Sequence, residues 1–160
     1  MATIAPPRVN LRPARAGDDE LLRRVYASVR EDELAAVPWS AAEKDAFLRH
    51  QFDAQDTHYR EHYEGATFDV IEVDGEPVGR LYVARWAEEI RIMDIALLPE
   101  HRGRGIGTHI LRGLLEEASL TGKRVSIHVE MNNPALRLYE RLGFVQAAVN
   151  GVYVRLDAQP

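Results

Sequence analysis

The sequence predicts an α/β domain of the mixed, α+β kind, with about seven strands in a central sheet flanked by about four helices. Three observations carry that expectation. Apolar spacing switches repeatedly between a helical and a strand period. Two dipeptides that suit tight turns, Asp74-Gly75 and Asn150-Gly151, stand between strand-like runs. A glycine-rich stretch, Arg102 to Gly107, joins a strand-like run to a helical one. At 160 residues and 46% hydrophobic content the chain can bury one good core and is short for two ordinary domains. It therefore reads as a single domain over residues 1–160, with its core over about 8–157.

The elements follow in order. A short strand is expected over Val9 to Arg12, after which Asp18 and Asp19 precede Leu21, Leu22, Val25, Tyr26 and Val29, one face of a first helix. Ser40-Ala41-Ala42-Glu43 spells a capping box, so a second helix should start there and run to about His62. Its stripe of Phe47, Leu48, Phe52, Tyr59 and Tyr63 reads first as core packing and second as a wall of a ligand pocket. Phe68 to Val73 and Pro77 to Trp86 form an expected hairpin, and Glu88-Glu89 a polar turn. Ile90 to Leu98 is apolar enough to suggest a central strand buried on both faces. A third helix carries Ile110, Leu111, Leu114, Leu115 and Ala118 on one side and stops at Gly122. Val125 to Glu130 alternates as a strand, Asn133-Pro134 opens a short helix through Leu142, and two strands close the chain.

A net charge of −5 and a pI of about 5.7 argue against the broad basic face that nucleic acids require. No apolar run approaches the ~18 residues of a membrane span, and Met1 to Arg8 lacks the pattern of a signal peptide. The expectation is a cytoplasmic protein without nucleic-acid or membrane partners. Cysteine is absent, which removes disulfides, thiolate metal sites and covalent cysteine chemistry.

A helix start offers free amides and the positive end of a dipole, so a loop without side-chain bulk before it is an anion site. Gly103, Gly105 and Gly107 clear that space, and Arg102 and Arg104 add charge suited to a ligand with several phosphates. The dinucleotide pattern would need glycine at Thr108, and the P-loop would need Lys-Ser/Thr where Ile106 and Gly107 stand. In this setting LLPEHRGRGIG, Leu97 to Gly107, resembles the coenzyme A signature RxxGxG of the GNAT N-acetyltransferase superfamily. Ala135, Leu138, Tyr139, Gly143 and Phe144 within NNPALRLYERLGF resemble that family's second signature, and the element order resembles its fold from about Val9 to Leu156.

The resemblance implies a mostly antiparallel mixed sheet and acetyl-coenzyme A as co-substrate, with no metal. It implies that main-chain groups of Ala96 and Leu97 pair with the pantetheine arm and that the amides of Arg102, Gly103, Arg104, Gly105, Ile106, Gly107 and Thr108 hold the pyrophosphate. Tyr139 would protonate the leaving thiolate. One of Asn132 and Asn133 would bond the cofactor: counting back from Ala135 favours Asn132, counting forward from Val129 favours Asn133, and Asn133 also suits a helix cap. The acceptor would be an amine on a small molecule or a peptide, and a homodimer is a state common in that family.

No single base stands out. Arg91 occupies the register at which some relatives carry a glutamate base. Asp94, a carboxylate within an apolar strand, is either a base whose pKa burial raises or a structural acceptor. His128, sharing the polar face of its strand with Glu130, is either a base or a solvated strand histidine. His58-Tyr59-Arg60-Glu61-His62 spells the inverted zinc-protease pattern, which still needs a third ligand. Direct acetyl transfer to an amine is therefore the leading expectation, with a non-catalytic coenzyme A-binding regulatory module as its alternative and a zinc hydrolase as a remote third.

Overall fold

Alternating apolar residues in seven segments build one sheet, described in a computed structural model over residues 7–160. Residues 1–6, most of the stretch read as lacking a signal sequence, lie outside the described residues. The strands are β1 (Val9–Pro13), β2 (Thr67–Val73), β3 (Glu76–Arg85), β4 (Glu89–Leu97), β5 (Arg124–Glu130), β6 (Val145–Asn150) and β7 (Tyr153–Ala158). The helices are α1 (Asp19–Ala35), α2 (Ala41–His62), α3 (Ile106–Thr121) and α4 (Leu136–Arg141). Spatial order is β1-β2-β3-β4-β5-β7-β6, antiparallel throughout except for β4 and β5. No described helix is long and apolar enough to cross a membrane.

Local chemistry sets the boundaries. Asp74 and Gly75 both take positive φ, 51° and 83°, as a two-residue hairpin turn demands. Ser40 Oγ accepts from the Glu43 amide at 3.1 Å while the Glu43 carboxylate receives the Ser40 amide, so the expected capping box starts α2. Three expectations move. The closing hairpin turns on Gly151-Val152, since Asn150 pairs with Tyr153 and only Gly151 has positive φ. Helix α4 begins at Leu136 because Asn133 and Pro134 are spent in the preceding turn. Glu89 is not in the polar turn: it opens β4, buried, and receives Ser126 Oγ at 2.7 Å, Arg91 at 2.9 Å and Arg124 at 2.9 Å. Burial works against that charge, but the bonds from Ser126 and Arg124 prevail and hold the carboxyl below its ordinary value.

Two apolar layers sandwich the sheet. On one face α3 lays Ile106, Ile110, Leu111, Leu114 and Ala118 on Ile71, Val83, Ile92 and Ile127. On the other, Leu22 and Tyr26 of α1 and Phe52 of α2 pack on Val70. The α2 stripe divides accordingly. Phe52 is core, Phe47 meets Trp39, Tyr59 meets Tyr82, and Tyr63 stacks on Trp86.

Strand β4 is central, as expected, but buried on both faces only near its start; from Met93 to Leu97 it is half-buried. Its register with β3 shows why. Val83 faces Ile92 whereas Tyr82 faces Asp94, so Met93 is an extra residue, a bulge. Beyond it the alternation changes parity. Ile95 and Leu97 join Ile92 on the α3 side, and Asp94 moves to the face shared with Tyr82 and Arg80.

Gly79, inside β3, lies against the Ala96 backbone so closely that a Cβ would collide with the Ala96 carbonyl and the Leu97 side chain. Gly79→Val is expected to lower stability by about 1–3 kcal/mol, measured as a reduced urea midpoint. At the sheet's edge, Arg12 forks onto Asp18 with two 2.8 Å bonds and reaches Glu72 at 2.9 Å, tying β1 and β2 to the entry of α1. These bonds, with burial opposing them, lower the Asp18 carboxyl from 3.8 to about 2. A depressed folded-state value stabilises the fold above the unfolded value and is lost as pH falls from 3.8 through about 2. Asp18→Asn should therefore lower the urea midpoint at neutral pH and flatten its fall across that acid window.

Candidate acetyl-transfer site

The glycine loop does what its composition suggests. Gly103 and Gly105 adopt φ of 73° and 79°, conformations that side chains rarely take, and Gly105 is the cap from which α3 departs. A side chain at Gly103, Gly105 or Gly107 would meet nothing within 4 Å, so the space before the helix is open. The first intrahelical bond runs from the His109 amide to the Gly105 carbonyl at 3.0 Å, leaving the amides from Gly103 to Thr108 without an acceptor among the described residues. The Arg102 amide differs from the expectation. It donates to the Pro99 carbonyl at 3.2 Å, closing the short turn Pro99–His101, and is not free for a ligand. Its guanidinium instead donates to the Leu97 carbonyl at 3.0 Å and reaches Ser28 Oγ of α1 at 3.4 Å. Arg104 lies against His101 at 3.1 Å.

Beside this loop the sheet opens. Parallel pairing of β4 with β5 runs from Glu89 opposite Arg124 only to Ile92 opposite Ile127. Ala96 and Leu97 lie beyond that point, paired with β3 through Arg80 and Gly79 but with no β5 partner. Unpaired strand backbone next to a helix start with free amides offers a long ligand both a strand edge and a row of donors.

On the α1/α2 face of the opening, Arg80 Nη2 donates to Asp94 Oδ2 at 2.6 Å and to Gln55 Oε1 of α2 at 2.9 Å. The lone buried carboxylate expected from the sequence is thus an ion pair. Tyr59 donates to the Met93 carbonyl at 3.3 Å, the group that the bulge turns outward. Tyr82 and Tyr26 present their rings to the Arg80 guanidinium at 4.9 and 5.6 Å. Tyr139 of α4 is buried and packs edge-on to Phe144 at 5.6 Å. Burial first, and then the negative charge of Asp94, push its phenol up to about 12.

His128 stands in other company. It is exposed on β5, with Nδ1 3.3 Å from Arg91 and Arg155 opposite it on β7. Partial desolvation and then the charges of Arg91 and Arg155 push its imidazole below its ordinary value. Asn133 Oδ1 accepts from the Ala135 amide at 2.8 Å within the turn before α4, so it does not cap the helix as expected, that position falling to Ala135, while Asn132 is exposed. His58 and His62 stack at 4.3 Å on the solvent side of α2, and no cluster of three metal-binding side chains forms among the described residues. Arg80 and Gly79 were not singled out from the sequence. An isolated strand glycine was the one available signal of close backbone approach.

Comparisons with known proteins fit this geometry. The model of the acetyltransferase (GNAT) family matches residues 26–144. An uncharacterized N-acetyltransferase of Methanocaldococcus jannaschii is 36% identical over 101 residues, 56% of this chain and 43% of that protein. Streptothricin acetyltransferase of Streptomyces lavendulae is 31% identical over 99 residues, 58% of this chain and 51% of that protein. The chain thus spans about half the length of these two relatives. PaiA N-acetyltransferase of Thermoplasma acidophilum, solved in complex with coenzyme A, superposes with a TM-score of 0.73 at 16% identity, over 96% of this chain and 99% of that one. With both glycine-loop and tyrosine signatures inside the matched residues, the chain belongs to the acetyltransferase (GNAT) family.

Proposed function

We propose that this protein transfers an acetyl group directly from acetyl-coenzyme A to a primary amine on a small molecule or a peptide. The observation that carries the reading is the run of free amides from Gly103 to Thr108 before α3, set beside the unpaired half of β4. A diphosphate suits such amides because six free N–H groups and the positive end of the helix dipole lie at one helix start. Family membership and the coenzyme A complex of the superposed Thermoplasma protein support the same ligand. The Ala96–Leu97 backbone would carry the pantetheine arm, with Gly79 allowing the close approach of β3 behind it.

Bound there, the co-substrate supplies an activated thioester carbonyl. The acceptor nitrogen forms the new C–N bond, the C–S bond breaks, and the electron pair stays with sulfur. Asp94 takes the proton that the nitrogen must lose and passes it to solvent. Tyr139, at about 12, remains protonated across the working range and donates a hydrogen bond to the developing thiolate. Because a thiol ionises near ~8.5, donation rather than complete proton transfer is the favoured role for that phenol. Asn132, exposed, and Asn133, whose oxygen is taken by the Ala135 amide but whose amide nitrogen is free among the described residues, both stay candidates for a cofactor contact. His128, held by Arg91 on another part of the sheet, serves the open β5–β7 face rather than the proton path.

Release of free thiol with a panel of amines tests the activity itself, and thiol release no faster than hydrolysis with every amine would refute it. Gly105→Val forces a side chain onto a φ of 79° at the helix cap and should weaken coenzyme A binding by about tenfold or more, read by calorimetry. Tyr139→Phe should reduce kcat by about 10- to 100-fold while leaving the coenzyme A Kd nearly unchanged. Equal loss of both would remove the phenol from the chemistry.

A further inference from the structure

We propose that Arg80 is a positioning residue that anchors Asp94 by one oxygen, so that its other oxygen receives the acceptor as an alkylammonium ion. This rests on the role given to Asp94 above. Arg80 projects from the middle of β3 and is 2% exposed, an unusual place for a guanidinium unless a partner justifies the loss of hydration. Its partner is Asp94, through Oδ2 alone. The other oxygen, Oδ1, receives no hydrogen bond among the described residues, and the Asp94 side chain keeps 19% of its surface. One end of the carboxylate is therefore anchored inward and the other is left for a ligand.

The surroundings select for charge. Arg80 and Tyr82 reach Asp94 from β3, Tyr59 and the neutral Gln55 lie on α2, Tyr26 and Arg30 on α1, and Tyr139 on α4. Burial raises all four phenols, which stay neutral at working pH. Arg30 lies flat on the Tyr26 ring at 3.7 Å, on the α1 side. The neighbouring carboxylates are Glu33, exposed on α1, and Asp56, which pairs with Arg60. Asp94 Oδ1 is thus an open carboxylate acceptor among neutral phenols, a setting in which an alkylammonium group finds a charge-assisted hydrogen bond. An amine that arrives protonated then gives its proton to the oxygen it is bound to before the nitrogen attacks.

The Nε of Arg80 has no hydrogen-bond partner and is buried, so the side chain is held by Asp94, Gln55 and the rings rather than by a full set of bonds. Removing Asp94 would release its principal tether, which makes the two residues energetically coupled.

A double-mutant cycle tests the proposal: Arg80→Met, Arg80→Lys, Asp94→Asn and the Arg80→Met/Asp94→Asn pair, each assayed for acceptor kcat/KM against pH and for coenzyme A Kd. Arg80→Met is expected to lower acceptor kcat/KM by about 10- to 100-fold, to move its acid limb to higher pH, and to leave the coenzyme A Kd within about twofold. Arg80→Lys, which keeps the charge, should restore most of the loss and the native acid limb. In the Asp94→Asn background, Arg80→Met should change kcat/KM by less than about twofold. Additive losses, or an unmoved acid limb in Arg80→Met, would overturn the positioning role while leaving the Asp94 role standing. Full activity in Asp94→Asn would remove both. If Arg80→Met alone does not fold, the pair variant, which removes both charges together, is compared with Asp94→Asn, and a further drop overturns the proposal.

Discussion

The chemistry of this site depends on one surplus residue in β4. Strict alternation from Ile90 and Ile92 would aim residue 94 into the apolar layer under α3, where a carboxylate would lie beside Leu111 and Ile127 without water or partner. The bulge at Met93 reverses the parity, so Asp94 comes out opposite Tyr82 and within 2.6 Å of Arg80. The same bulge frees the Met93 carbonyl for Tyr59 and returns Ile95 and Leu97 to the α3 side. An irregularity of one residue thus separates the apolar support of the sheet from its polar working face.

The candidate cleft follows from a sheet that is clamped at one end and unpaired at the other. Glu89 of β4 is the clamp: it takes hydrogen bonds from Arg124 and Ser126 of β5 and from Arg91 on its own strand. Three donors compensate the desolvation of one buried carboxylate, which an isolated pair would do poorly. Past Ile92 no ladder pairs join β5 to β4 among the described residues, and the unpaired end of β4 runs on to the loop before α3. Arg102 bridges the two parts, its amide spent on the loop's own turn and its guanidinium on the end of β4. Residues matched by the family signatures therefore divide between those bonded within the loop and those whose amides are left free.

Helices α1 and α2 cover the sheet face that carries the Arg80–Asp94 pair. Their apolar residues, Leu22, Tyr26 and Phe52, seat them on Val70 near the far strands. This places Gln55 and Tyr59 over the Arg80–Asp94 pair, with Tyr63 and Trp86 stacked beyond. The α2 aromatic stripe is consequently divided along the helix, Phe52 in the core and Tyr59 and Tyr63 against Tyr82 and Trp86. His58 and His62, on the outer side of the same helix, spend their rings on each other and on the helix backbone.

Much of this was legible in the chain. Strand and helix order, the capping box at Ser40, the Asp74-Gly75 turn, the cap at Gly122 and the glycine cradle before α3 are local properties, written in spacing and in residues whose conformational preferences are strong. Pairing across the sheet is not local. The Met93 bulge exists only because β3 and β4 meet in one register, Arg80 finds Asp94 only across that register, and Glu89 leaves a polar turn because Arg124 and Ser126 approach it from β5. Alone, the sequence determined which segments form and where a helix start is left open, because backbone propensity and helix-end geometry act within a few residues. Tertiary structure decided which charges are paired and which way Asp94 points, because those depend on neighbours between 14 and 37 positions away.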